Sequence, residues 1–195
     1  MTKNRSTHST HFRNPFFFSI GLIALCRCVS AQELAIDFES TTVGKPMPTW
    51  SEIGVTFELA NKPKKSKAIG RIMFFPHIGT GRKGIVNAMA NEAIPVRAQF
   101  SKPVKKVSLV LWGSTDSAAH VEAFDAQGKL LVEDSLKKVP VRKSPEEQVP
   151  FFELTVEAKG IDHLHISGSQ PGGFIVIDEM RWTELETNRN TLEKE

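Results

Sequence analysis

Apolar and polar residues alternate in short segments along most of this chain. The cleanest segment runs from Phe151 to Glu157, where Phe152, Leu154 and Val156 alternate with polar residues. Alternate side chains of a β-strand point to opposite faces, so this pattern predicts a strand with one buried face. The other predicted strands are 34–39, 53–59, 69–75, 84–90, 95–100, 104–112, 121–124, 129–132, 161–166 and 173–182.

About ten short strands separated by Gly, Pro and Asp turns predict an all-β fold, either a sandwich or a barrel of antiparallel sheets. Strands with one apolar and one polar side, such as 34–39, favour the antiparallel β-sandwich. The sequence shows no amphipathic helix of ordinary length and no internal repeat. Phe124-Asp125-Ala126-Gln127-Gly128 predicts a hairpin turn between two of the strands, because Gly128 can take a positive φ.

The N-terminal segment has the composition of a secretory signal peptide. Lys3, Arg5 and Arg13 form a basic region, and the apolar segment 16–25 is too short to span a bilayer as a helix. Val29-Ser30-Ala31 then supplies the small residues that a signal peptidase requires. We expect cleavage after Ala31.

Cleavage would divide the chain into a signal peptide (1–31), a β-sandwich domain (32–183) and a polar C-terminal tail (184–195). We expect the mature protein to be secreted or periplasmic and not to span a membrane. The alternative is a leader that is retained as an N-terminal anchor.

Removal of the leader changes the charge and the cysteine content. It takes four of the 25 basic residues and no acidic residue, which leaves 21 basic and 22 acidic residues and a net charge of −1. This balance speaks against nucleic-acid binding, which requires a basic surface. Both cysteines, Cys26 and Cys28, also leave. We therefore expect a domain without disulfides that is stabilised by its core, by a metal or by both.

The predicted last strand, 173–182, holds a carboxylate in an apolar row. At a period of two, Asp178 shares its face with four apolar residues, Phe174, Val176, Met180 and Trp182. A buried carboxylate is costly unless it is paired, hydrogen-bonded or metal-bound. One alternative is a hydrogen-bonded carboxylate, and another is an ion pair with Arg97 or Arg181.

Acidic residues at the two ends of the domain suggest a metal. Asp37 and Glu39 lie on one face of the first predicted strand, and Asp178 and Glu179 lie on the last. If these strands are neighbours, the carboxylates suit a structural calcium ion, which prefers oxygen ligands. Because alternation turns Asp178 inward and the first pair outward, a β-bulge or a sheet edge would be needed.

This acidic pattern resembles the jelly-roll carbohydrate-binding modules of the galactose-binding-like superfamily. Three further segments are similar to extracellular β-sandwich domains of bacterial secreted proteins, namely 100–104, 124–128 and 177–180. The resemblance implies a jelly-roll sandwich with a structural calcium on the equivalent acidic residues. It also implies a non-catalytic module that binds a polysaccharide or a cell-surface glycan.

Aromatic side chains can stack on the apolar faces of sugars. We predict a glycan-binding edge formed by five residues in or beside loops, Trp50, His77, Arg82, Trp112 and Asp116. The alternative for the exposed aromatic residues is partial burial at the end of a sheet. We expect Trp182 to pack in the core and Phe151 to face outward.

His163 and His165 share one face of the predicted strand 161–166. Two histidines can bind a transition metal with a third ligand, but we expect these two to be solvated surface residues. The mature chain has no cysteine nucleophile and no Gly-x-Ser-x-Gly turn, so we do not expect an enzyme. Two alternatives remain: an adhesive or structural envelope protein that binds protein partners, and a glycan-active hydrolase or lyase.

Overall fold

The described residues form twelve β-strands and no helix. The computed structural model describes residues 32–44, 49–50, 53–60, 62, 64–66, 70–74, 83–89, 92–113, 118–138, 140, 143–144, 147–148, 150–168 and 175–185. The predicted signal peptide and residues 186–195 of the predicted tail lie outside them. The strands are β1 (Glu33–Asp37), β2 (Thr49–Trp50), β3 (Val55–Leu59), β4 (Arg71–Phe74), β5 (Lys83–Val86), β6 (Ala88–Met89), β7 (Glu92–Ala93), β8 (Val96–Gly113), β9 (Ala119–Phe124), β10 (Leu130–Leu136), β11 (Phe152–Gly168) and β12 (Ile175–Glu184).

Ten of the twelve described strands are joined by hydrogen bonds into one continuous sheet, and its two parts, which share β8 and β11, are called the first and the second sheet below. In the first sheet, the order of neighbouring strands is β2, β3, the first part of β8, the last part of β11, β9 and β10. The second sheet orders the first part of β11, the rest of β8, β12, β5 and β4, and β1 also pairs with β12. The short strands β6 and β7 pair with each other. Every pairing is antiparallel, which confirms the predicted all-β antiparallel class.

β8 and β11 are continuous where the sequence predicts a break. The prediction has two separate strands in each region, at 95–100, 104–112, 151–157 and 161–166. Instead, the pairing of β11 with β8 shifts register between Glu157 and Ile161 and again before His163. Gly160 lies in this segment with a φ of 85°, a conformation that favours glycine. Such irregularities bend a strand from one sheet into the other without ending it.

The apolar faces of the two sheets meet in a shared core. Phe100 of the first sheet contacts Trp182 of the second, with ring centroids 5.9 Å apart. Phe38, just after β1, packs edge-on against Phe57 of β3 at 5.8 Å. Phe38 and Trp182 are buried, which confirms the core position predicted for Trp182. Ring contacts between facing sheets are typical of a β-sandwich core.

A β-bulge at Asp178 corrects the predicted faces of β12. The pairing with β8 skips one residue between Ile177 and Glu179. As a result, Ile175 and Ile177 face the core before the bulge, and Met180 and Trp182 face it afterwards. The predicted row that placed Val176 on the same face as Met180 and Trp182 is therefore wrong. Asp178 is buried within the bulge itself.

Val176 belongs to a second apolar cluster with Val86 and Trp112. The register places Val176 opposite both residues, so the cluster crosses β5, β12 and β8. Gly84 makes a close approach possible here. A Cβ atom at Gly84 would lie 2.6 Å from Val176 Cγ1 and 2.7 Å from the Ile177 carbonyl oxygen, so no larger residue fits without a shift of the backbone.

The two ends of the domain lie side by side. β1 pairs with β12 from Glu33 opposite Thr183 to Asp37 opposite Glu179. The terminal strands are therefore neighbours, which is the arrangement that the calcium prediction requires. Side chains alternate between the two faces of β1, so Ile36 faces the core and the acidic residues Glu33 and Asp37 face outward.

Candidate binding face

The outer face of the first sheet carries a set of polar and aromatic side chains that we call the histidine face. Its members are Arg97 and Gln99 of β8, His163 and His165 of β11, His120, Glu122 and Phe124 of β9, and Glu133 of β10. The register aligns them in rows across the strands, with Gln99, His163 and Phe124 in one row and Arg97, His165 and Glu122 in the next. This face holds three of the six histidines of the chain.

Phe124 lies over both histidines of β11. Its ring stacks on His163 with centroids 5.1 Å apart and an interplanar angle of 12°. It meets His165 at 4.8 Å and 53°, and the two histidine rings lie 5.5 Å from each other. Three rings therefore form one continuous aromatic surface. His163 is buried, so the expectation that both histidines are solvated is wrong for this residue.

A chain of hydrogen bonds fixes the ring of His163. Asp162 Oδ2 lies 2.9 Å from His163 Nδ1 and accepts a hydrogen bond of 2.9 Å from Gln99 Nε2. Arg97 Nη2 in turn donates to Gln99 Oε1 at 2.6 Å. Arg97 also lies 3.8 Å from Glu58. Because each side chain is held by the next, the orientation of the His163 ring is set before any ligand arrives.

The surroundings of Asp162 favour its ionised form. Partial burial alone raises the pKa of this carboxyl group, but hydrogen bonds from Gln99 and His163 and the positive charges of His163 and Arg97 outweigh that effect. The net pKa of Asp162 is lowered from its ordinary value of 3.8.

His165 is shifted toward its neutral form. Burial is the largest cause and lowers the pKa of the imidazole from its ordinary value of 6.5. The positive charges of His163 and Arg97 lower this pKa further, while the carboxylate of Glu122 partly opposes them.

A depression of about 330 Å³ opens over the three rings. Its lining residues are Ala60, Arg97, Phe124, Ala126, Gln127, Gly128, His163 and His165. One wall is the predicted turn between β9 and β10, where Gly128 has a φ of 78°. Asp125 Oδ1 accepts hydrogen bonds from the backbone of Gln127 and Lys129 at 3.0 and 2.8 Å. The depression thus combines ring surfaces with an ordered polar wall.

The predicted acidic residues lie near the β1–β12 edge and interact with other groups of the protein. Glu39 Oε1 accepts a hydrogen bond from the Lys83 backbone at 2.8 Å, and Asp37 Oδ1 accepts one from the Glu39 backbone at 3.2 Å. Glu179 Oε1 lies 3.0 Å from Arg181 Nε. Among the described side chains, no three of Asp37, Glu39, Asp178 and Glu179 bring ligand atoms within 4.8 Å of one another. Calcium binding stays a prediction.

Of the five predicted glycan-binding residues, only Trp112 has a described side chain. It is 8% exposed and packs in the second apolar cluster, so its ring is not an open platform for a sugar. Trp50 ends β2. His77, Arg82 and Asp116 lie outside the described residues.

The sequence predictions missed Phe124, Gln99 and Asp162 as parts of a site. The signal available was the pattern of polar and aromatic residues at a period of two on β9 and β11. Their convergence depends on which strands are neighbours, and alternation within one strand carries no information on that pairing.

Two adhesin domains of Lys-gingipain are similar to this chain in structure. The K1 domain, from Porphyromonas gingivalis W83, aligns with a TM-score of 0.52 and 14% identity over 80% of this chain and 99% of its own. The K2 domain aligns with a TM-score of 0.50 and 14% identity over 78% of this chain and 99% of its own. A tandem of CBM22 domains of Xyn10C from Paenibacillus barcinonensis aligns with a TM-score of 0.48 and 11% identity, over 81% of this chain and 47% of its own.

Likeness at these identities concerns the fold, and the two adhesin domains confirm the predicted β-sandwich. No protein-family model matches the chain, and no curated relative is found for it. Within the described ranges, no helix has the length and apolar character needed to cross a membrane.

Proposed function

We propose that this protein is a secreted, non-catalytic binding module that holds a glycan on the histidine face. The observation that carries the proposal is the continuous surface of Phe124, His163 and His165 beneath an open depression. Sugar rings have apolar faces that stack on aromatic side chains, and their hydroxyl groups need directed hydrogen-bond partners. The two similar structures are named as adhesin domains, which agrees with a binding role.

The polar residues around the rings supply the partners that a sugar needs. Arg97 is a donor at one side of the depression, and Gln127 in the hairpin turn offers both a donor and an acceptor. Because hydrogen bonds already fix Gln99 and His163, little side-chain entropy is lost when a ligand binds. The face is thus suited to a neutral or weakly charged saccharide.

Retention of the full-length chain on immobilised polysaccharides, followed by titration with the retained one, tests the proposal. Phe124→Ala should lower the affinity by about fivefold, because a ring contact contributes roughly 1 kcal/mol. Phe151→Ala is the matched control. Phe151 is 46% exposed immediately before β11 and lies outside the histidine face, so its loss should leave the affinity unchanged.

Two results would count against the proposal. The first is an intact fold with no retention on any polysaccharide, which would favour protein partners instead. The second is retention that Phe124→Ala does not weaken, which would place the ligand elsewhere, for example at the predicted edge with Trp50 and Arg82.

We also propose a structural calcium ion at the β1–β12 edge, supported by the pairing of Asp37 with Glu179 across the two strands. Calcium should then raise the midpoint of thermal unfolding relative to a chelator. Identical midpoints in the two conditions would overturn this part of the proposal.

Secretion is tested by N-terminal sequencing of the exported protein. If the leader is cleaved after Ala31, the sequence begins at Gln32. A retained Met1 would support the anchor instead.

A further inference from the structure

A second cluster lies on the histidine face, apart from the stacked rings. His120 and Glu122 are two residues apart on β9, so both side chains project from the same face. Glu133 of β10 pairs directly with Glu122. The nitrogen of His120 and one oxygen of each carboxylate all lie within 4.8 Å of one another.

The separations within this cluster fit a metal ion better than they fit hydrogen bonds. His120 Nε2 lies 3.8 Å from Glu122 Oε1 and 3.6 Å from Glu133 Oε2. Both distances exceed that of a hydrogen bond, which is about 3 Å. A tetrahedral zinc ion with bonds of about 2.1 Å places its ligand atoms about 3.4 Å apart. The two distances from His120 would each contract by a few tenths of an ångström around such an ion, and rotation of the exposed Glu133 side chain can adjust the separation of the two carboxylate oxygens.

The negative charge of the two carboxylates in the cluster also favours binding of a cation. Glu122 and Glu133 are directly opposite each other, an arrangement in which like charges repel. Among the described residues, the ion-pair partner of both is the same side chain, His120. A single imidazole cannot neutralise two carboxylates, whereas a divalent cation can.

The cluster is accessible to an ion from solvent. The side chains of His120 and Glu122 are about one-third exposed, at 30% and 31%, and that of Glu133 is 59% exposed. An imidazole nitrogen beside carboxylate oxygens suits zinc and neighbouring transition metals rather than calcium, which prefers oxygen ligands alone. Three protein ligands leave a fourth position for water.

We propose that His120, Glu122 and Glu133 form a zinc-binding site with an open fourth coordination position. The site uses none of the residues that form the aromatic surface. The test of zinc binding is therefore independent of the test of glycan binding.

Calorimetric titration of the metal-stripped, full-length protein with Zn²⁺ tests this site. We expect one ion per chain at the site, and His120→Ala should remove that binding event. Glu122→Gln and Glu133→Gln should each weaken the affinity by at least about tenfold, because each removes one charged ligand. Co²⁺ in place of Zn²⁺ should give the visible absorption of a tetrahedral complex, and His120→Ala should abolish it.

A control separates this site from the other histidines on the face. The double variant His163→Gln, His165→Gln should bind Zn²⁺ as the wild type does. Loss of binding in that variant, with binding retained in His120→Ala, would overturn the proposal. Failure of the wild type to bind Zn²⁺ would overturn it as well.

Thermal unfolding distinguishes a variant that has lost zinc affinity from a variant that does not fold. Glu133→Gln should unfold in chelator at no lower temperature than the wild type, because it relieves the repulsion between Glu122 and Glu133. Zinc should raise the midpoint of the wild type more than that of Glu133→Gln, which binds the ion less tightly. Equal zinc-induced shifts in the two proteins would contradict the assignment.

Discussion

At the scale of single residues, Asp162 fixes the orientation of two side chains of the histidine face, Gln99 and His163. Its carboxylate accepts from Gln99 and pairs with His163, and its pKa lies below the ordinary value of 3.8. A lowered carboxyl pKa means that the ionised group stabilises the fold. This stabilisation is complete above the unfolded pKa and is lost as the pH falls through the folded pKa.

Asp162→Asn should therefore cost about 1–2 kcal/mol of unfolding free energy at pH 7 and clearly less at a pH well below 3.8. Urea unfolding of both proteins at the two pH values measures the difference. Glu58→Gln is a control on the same sheet, because the Glu58–Arg97 ion pair is long and exposed. An equal cost of Asp162→Asn at both pH values would show that the carboxylate charge is not what matters.

His165 gives a pH dependence in a higher range. Its pKa in the folded protein lies below 6.5, mainly because of burial. The unfolded chain thus binds more protons than the folded one just below pH 6.5, and stability falls as the pH drops through this value toward the folded pKa. His165→Gln should flatten the dependence of the unfolding free energy on pH in that window. A variant that follows the wild-type curve would contradict this prediction.

Residue types in the core could be predicted from alternation, but the site could not. Phe152, Leu154 and Val156 face inward and Phe151 faces outward, as the pattern indicates. The aromatic surface instead requires Phe124 and His163 to meet from strands that are separated in sequence by β10 and a long connection. Only the strand order of the sheet brings them together.

At the scale of secondary-structure elements, irregularities in the ladder decide which side chains face the core. Strict alternation along β12 fails at Asp178, because one extra residue in a bulge exchanges the two faces. The sequence shows a carboxylate out of place there, but the bulge itself is a property of the pairing with β8. For the same reason, the sequence pattern predicts the end of a strand at the points where β8 and β11 in fact continue.

The close packing of β5 on β12 leads to a prediction for Gly84. Gly84→Ala should cost about 1–3 kcal/mol or more, because the new Cβ would meet the Ile177 carbonyl oxygen at 2.7 Å. Gly128→Ala is an informative comparison, since Gly128 has open space but a φ of 78°. Its cost should stay near 1 kcal/mol. Chemical denaturation of both variants checks the order, and an unaffected Gly84→Ala would contradict the close approach.

At the scale of the whole molecule, the two sheets form one cooperative structure because β8 and β11 run through both. Phe38 and Phe57 contact each other across the core and so connect the two sheets.

Phe38→Ala should cost about 3–5 kcal/mol, since the ring is fully buried. Phe151→Ala, at an exposed position, should change stability by less than about 1 kcal/mol. Separate unfolding transitions for the two sheets would contradict a single core.

The fold class and the adjacency of the terminal strands follow from short-range pattern and general rules of β-sandwiches. The bent strands, the bulge and the binding face depend on contacts between distant segments, such as β9 with β11. These contacts are selected by the packing of the complete core, which no local stretch of sequence specifies.

Since Glu33 and Thr183 are opposite partners, the polypeptide enters and leaves the β-sandwich at one point. A pulling force between these two residues would act along the hydrogen bonds of the β1–β12 ladder, which run perpendicular to the strands. The ladder would open one rung after another, at a lower load than strands sheared along their length. Tension would thus peel β1 away first and uncover Phe38 and the edge of β12, while the shared strands β8 and β11 still held the remaining body together.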